Sequence, residues 1–106
     1  MFERNFQVID GKCIVLKGWL EPRETFMRII TEHCPFCSER HFHGAGGLDD
    51  WRDGFSCETG KPILAHRSAH CVPLGKKITA PDGTVLSNWN GYCIEIDRRQ
   101  YEDLPL

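Results

Sequence analysis

The chain has no run of 18 apolar residues, so hydropathy offers no membrane-spanning helix. It also lacks an excess of basic charge. With a net charge of −2 it is poorly suited to non-specific nucleic-acid binding, which rests on many cations meeting phosphates. Met1-Phe2-Glu3-Arg4-Asn5 has neither a basic start nor an apolar run, so no signal peptide is expected there. A reducing, cytoplasmic compartment is therefore expected, where cysteines serve metals more often than disulfides. Internal repeats and low-complexity segments are missing. Gly44-Ala45-Gly46-Gly47 is not followed by Lys-Ser/Thr, which excludes a P-loop. Asp49, Asp50 and Asp53 lack EF-hand spacing and a closing glutamate, and are expected to be solvated.

What the chain does have is concentrated. Four of the six cysteines and all five histidines fall between His33 and Cys71. The stretch opens with His33-Cys34-Pro35-Phe36-Cys37, passes through His41-Phe42-His43-Gly44 and closes with His66-Arg67-Ser68-Ala69-His70-Cys71. Thiolates and imidazoles gathered in this way are the donor set of zinc. In Cys34-Pro35-Phe36-Cys37 the proline fixes one backbone angle and two residues separate the sulfurs. A turn of this kind can aim both thiolates at one ion, as in a rubredoxin-type knuckle.

Cys71 is the expected third ligand, since thiolate is the softer partner for zinc. His43 is preferred as the fourth, because its longer return lets the chain curl back past the knuckle. His41, His70 and His66 are the alternates. Residues two apart on an extended segment share a face, so His41 and His43 look one way and Phe42 is expected to face the core. A closed Cys3His shell leaves no position for water, which makes the zinc structural. Cys57 and the surplus histidines leave room for a second site.

The 106 residues read as one mainly β domain, residues 1–106, made of hairpins around a zinc-ribbon-like knuckle. Residues 6–20 form a hairpin about Asp10-Gly11, a strong turn signal, and Pro22 ends its second arm. Residues 25–34 are a strand or short helix, with Ile29, Ile30 and Thr31 favouring a strand. Gly44 to Gly47 read as a flexible connection. Residues 63–72 are again strand or helix, and in a helix His66 and His70 would share a face. Residues 77–79 and 85–86 flank a turn, residues 92–96 alternate as a half-buried strand, and residues 98–106 are expected to fray. Cys13 and Cys93 are read as small buried hydrophobes.

The combined pattern CPFC-x3-HFHG, HRSAHC and GYCIEI resembles a group of small proteins from actinobacteria and their phages. That group carries a CPxC, HxHG, HRxAHC signature and a GY-strand tail, over roughly residues 30–96 here. The resemblance implies zinc binding and an accessory role in a phage or actinobacterial cell, and no mechanism. The stretch from Leu48 to Pro62 is longer than the short glycine-rich loop it implies.

Three functions follow from these residues. The foremost is a zinc-stabilised module that binds a protein or, less favourably, a nucleic acid. Lys61, Arg67, Lys76 and Lys77 form an acid-free basic block beside the histidines, a candidate phosphate or nucleic-acid patch. Trp51, Trp89 and Tyr92 are available for stacking. The alternative is a metal-dependent nuclease or hydrolase using the histidine cluster. A dithiol redox role for Cys34 and Cys37 is the least favoured, because no βαβ pattern accompanies them.

Overall fold

The fold is laid against one long strand. A computed structural model describes residues 7–9, 13–69, 75–80 and 83–103. Its strands are β1 (Gln7–Ile9), β2 (Cys13–Pro22), β3 (Phe26–Thr31), β4 (Phe42–Gly47), β5 (Ile63–Arg67), β6 (Lys77–Thr79), β7 (Val85–Ser87) and β8 (Tyr92–Ile96). A short helix, α1 (Arg98–Asp103), follows. The main sheet runs β4-β3-β2-β8-β5, and β6 and β7 form a separate hairpin.

β2 reaches ten residues because it has two partners on one side. Its first part pairs with β1 (Ile9 opposite Cys13) and its last part with β3 (Gly18 opposite Thr31, Pro22 opposite Met27). On its other side it runs parallel to β8, Ile14 opposite Tyr92 and Gly18 opposite Ile96. The mainly β expectation holds, and so does the hairpin of β1 and β2, whose Asp10-Gly11 turn lies outside the described residues. Pro22 is the last residue of β2, as its missing N–H requires. The parallel β2–β8 pair is what a reading by consecutive hairpins could not contain.

Alternation sorts the sheet into two faces. Ile14, Leu16 and Leu20 of β2, Met27 and Ile29 of β3, Ile63 and Ala65 of β5 and Ile94 and Ile96 of β8 share one buried cluster. Gly18 lies among them because a Cβ there would run into Ile94 Cγ2. Arg67 on edge strand β5 places its Nη2 3.4 Å from the Gly44 carbonyl on the other edge strand, β4. The sheet therefore curls until its edges are linked through a side chain.

Three expectations are corrected, and one open choice, strand or helix, is settled as strand. Gly44 to Gly47 are strand, not a flexible connection, and Ala45 among them is buried. Residues 26–31 and 63–67 are both strands, so the helical pairing of His66 with His70 does not arise. Phe42 faces outward at 49% exposure, while His41 and His43 are buried; the shared face of the histidines is right and its direction reversed. The residues at 98–103 are helical and anchored. Gln100 donates to the Leu20 carbonyl and accepts from the Leu20 N–H, and Tyr101 packs edge-on against Trp51 and Phe55. Burial, and then the neighbouring Cys57 thiol, push the Tyr101 hydroxyl above its ordinary pKa.

Trp51 is wholly buried in a 3-10 turn over residues 51–54, so it is not a stacking platform. Asp49, Asp50 and Asp53 are exposed, as expected for solvated acids. No helix among the described residues is long and apolar enough to cross a membrane.

Candidate metal centre

The knuckle is built where β3 ends. The Cys34 N–H donates to the Glu39 carbonyl (2.8 Å) and the Ser38 N–H to the Cys34 carbonyl (2.7 Å), which folds residues 34–39 into a closed turn. Ser38 takes φ of 66°, the left-handed conformation that ends such a turn. Phe36 is buried and fixes the turn to the core, and Lys76 Nζ donates to its carbonyl at 3.2 Å.

Thr31 then decides which histidine arrives. Its N–H donates to the His41 carbonyl (3.0 Å), and the His41 N–H donates to Thr31 Oγ1 (2.9 Å). The Thr31 hydroxyl in turn donates to the Glu32 carbonyl at 2.8 Å. This clamp closes the loop at its base and sets His41 beside the sulfurs. His41 Nε2 lies 3.3 Å from Cys37 Sγ, and the ligand atoms of Cys34, Cys37 and His41 all lie within 4.8 Å of one another. Donors around a tetrahedral zinc-sized ion are spaced by roughly 3.5–4 Å, so the three residues are close enough to hold a metal ion. Cys34 and His41 are buried and Cys37 is half-buried, which leaves the cluster at the rim of the core.

Two other sequence candidates are described, and each has a different neighbour. His43, preferred as the fourth ligand, has its Nε2 2.5 Å from the buried Tyr92 hydroxyl. Tyr92 also stacks on the His41 ring, with centroids 5.7 Å apart and planes 25° from parallel. Tyr92 is thus a supporting residue of the cluster rather than a surface anchor. His66, another alternate, is exposed on β5 with Nε2 3.0 Å from the Asn90 carbonyl. Cys71 and His70 lie outside the described residues. The signal for His41 was present in the Cys37-x3-His41 spacing, whereas nothing local pointed to Thr31 or Tyr92.

The basic block is not used uniformly. Lys61 pairs with Glu58 at 2.9 Å. Arg67 is half-buried, donates to the His66 carbonyl (2.8 Å), and has its pKa lowered by that burial. Lys76 is turned to the knuckle, and Lys77 is exposed on β6.

A Tyr92→Phe change separates support of the cluster from support of the fold. The ring that stacks on His41 is retained, so metal content is expected to be unchanged. The lost bond to buried His43 is expected to cost about 1–3 kcal/mol, read as a lower urea midpoint. Loss of metal without loss of stability would contradict this division.

No protein-family model, no curated protein and no solved structure matches this chain.

Proposed function

We propose that this chain is a zinc-stabilised binding module whose metal is structural. The observation that carries the reading is the gathering of Cys34, Cys37 and His41 in a knuckle closed by its own backbone bonds. Two thiolates and an imidazole suit zinc better than a hard cation, which would take oxygen ligands. We assign the fourth position to Cys71 from the sequence. In its support, Lys76 on the far side of that connection is bonded to the knuckle carbonyl of Phe36. Four protein ligands leave no place for a reacting water, so the metal's contribution is to folding.

The partner we propose is a protein. Trp19 lies opposite Ile30, and Ile30 opposite Phe42, so three strands present one apolar row on the sheet's outer face. Trp19 and Phe42 are 47% and 49% exposed, and the Arg28 guanidinium lies 4.7 Å over the Phe42 ring. Arg28 is also paired with Glu21, so this face carries both charge signs and no excess of cations. A phosphate backbone would favour the opposite balance. On the signature shared with the actinobacterial and phage group, we place the module among accessory proteins of such cells or phages.

Zinc content of the native chain and of Cys34→Ser tests the first part. Titration with mixed-sequence single-stranded and duplex nucleic acids at low salt tests the second. No saturable binding is expected. Binding that weakens steeply with salt, and with Lys76→Ala or Lys77→Ala, would replace the protein partner by a nucleic acid.

A further inference from the structure

A second set of soft ligands lies on the outer face of the sheet, around the start of β8. Cys93 is the Cα partner of Val15 on β2 and of His66 on β5, so these three residues share a face. Cys13 sits two residues before Val15 on β2 and therefore on that face as well. From opposite sides of β8, Cys13 and His66 reach the same atom. Cys13 Sγ is 3.3 Å from the Asn90 carbonyl oxygen, and His66 Nε2 is 3.0 Å from it. The His66 ring has room to lie there because residue 91 is glycine. A Cβ on Gly91 would come within 3.1 Å of His66 Cε1 and 3.2 Å of Nε2.

We propose that Cys13, Cys93 and His66 form a second metal site for a thiophilic d10 cation of the zinc and cadmium class. Two sulfurs and one imidazole are a soft donor set, and hard cations would be rejected by it. Cys13 and Cys93 are half-buried and His66 is exposed, so the site opens to solvent and leaves a coordination position free. That distinguishes it from the knuckle, where Cys34 and His41 are buried. Among the described residues, only Cys34, Cys37 and His41 are already gathered within 4.8 Å. The outer set must close on its ion, with Cys13 and His66 leaving the Asn90 carbonyl to do so. It is accordingly the weaker and more labile of the two sites. The inference does not rest on the knuckle holding zinc, since the two sites share no residue.

The test is a cadmium titration of the full chain, followed by 113Cd NMR and by thiolate-to-cadmium charge-transfer absorbance. Two resonances are expected, filled in sequence. The later one should vanish in Cys93→Ser and in His66→Ala, and its charge-transfer absorbance should fall by about half in Cys13→Ser. His66 is exposed, so His66→Ala keeps the test readable if Cys93→Ser fails to fold. The first resonance should vanish only in Cys34→Ser or Cys37→Ser. A single resonance that Cys93→Ser and His66→Ala both leave intact overturns the second site. So does a second resonance lost with Cys57→Ser instead. A resonance dependent on Cys93 with none dependent on Cys34 would keep this site and reject the structural zinc.

Discussion

Native protein is expected to contain about one tightly held zinc per chain, and Cys34→Ser to lose both the zinc and the cooperative thermal transition. Cys34 is fully buried and belongs to the same cluster as the core apolar residues, so the sulfur proposed to hold the ion is also a packing atom. Structural zinc contributes about 10–16 kcal/mol in small zinc-binding peptides. The net stability of whole domains is about 5–15 kcal/mol, so removing such a contribution leaves little or nothing. Cys37→Ser and His41→Ala are expected to follow the same course. Cys57→Ser, an exposed position near Arg98, should retain the zinc of the native chain.

The same site fixes a direction for pH. Thiolate and neutral imidazole are the ligating forms, so protons compete with the metal and zinc is expected to be released as pH falls. Stability should drop in step with that release, and a chelator at neutral pH should reproduce the acid result. Elemental analysis beside a melting curve for native and Cys34→Ser protein is the deciding measurement. A metal-free native chain, with Cys34→Ser melting normally, would sink the structural-zinc reading and leave the cysteines to be examined as thiols.

Gly91→Ala, away from the knuckle, is expected to destabilise the fold by about 2–6 kcal/mol. Gly91 has φ of 68° and ψ of −153°, a region essentially confined to glycine, where another residue costs of order 1–3 kcal/mol. Sterics add to this. A Cβ there would run into the Arg67 carbonyl oxygen, a backbone atom of the neighbouring strand that cannot simply rotate away. Overpacking of this kind costs roughly 1–3 kcal/mol more. The position matters because Gly91 leads directly into β8, which carries both the parallel partner β2 and the antiparallel partner β5.

Gly60→Ala is the control. Gly60 also has positive φ, 81°, but a Cβ there meets nothing within 4 Å. Only the left-handed backbone penalty of about 1–2 kcal/mol applies. Urea midpoints of the two variants should therefore differ in the order Gly60→Ala, then Gly91→Ala. Equal midpoints would mean that contact with β5 adds nothing to the turn.

The basic block shows how position alters a reading made from composition. As a sequence, Lys61, Arg67, Lys76 and Lys77 are four cations without an acid among them. In the fold, Lys61 finds Glu58, Arg67 turns to backbone carbonyls on its own strand and on the opposite edge strand, and Lys76 tightens the knuckle. Charges counted along a chain become a surface only if folding leaves them side by side. The apolar row of Trp19, Ile30 and Phe42 is the reverse case, since register alone aligns it.

What the sequence determined by itself is what short-range chemistry controls. Cys34-Pro35-Phe36-Cys37 specifies a turn with two sulfurs on one side, and β-branched runs with turn residues between them specify strands. The alternation of Tyr92-Cys93-Ile94-Glu95-Ile96 likewise marks a strand with one buried face. Each of these depends on residues a few positions apart. Only the tertiary structure decided which histidine meets the sulfurs, because the choice is made by Thr31, ten residues before His41 and at the end of β3. It also decided that Phe42 points outward. Alternation says which residues share a face and is silent on which face is inside. Here the inner side is claimed by His41 and His43 because Tyr92, brought by the parallel β2–β8 pairing, gives one ring a stacking partner and the other a hydrogen bond. Buried polar side chains are tolerated where a partner meets them, and that partner comes from 49 residues away.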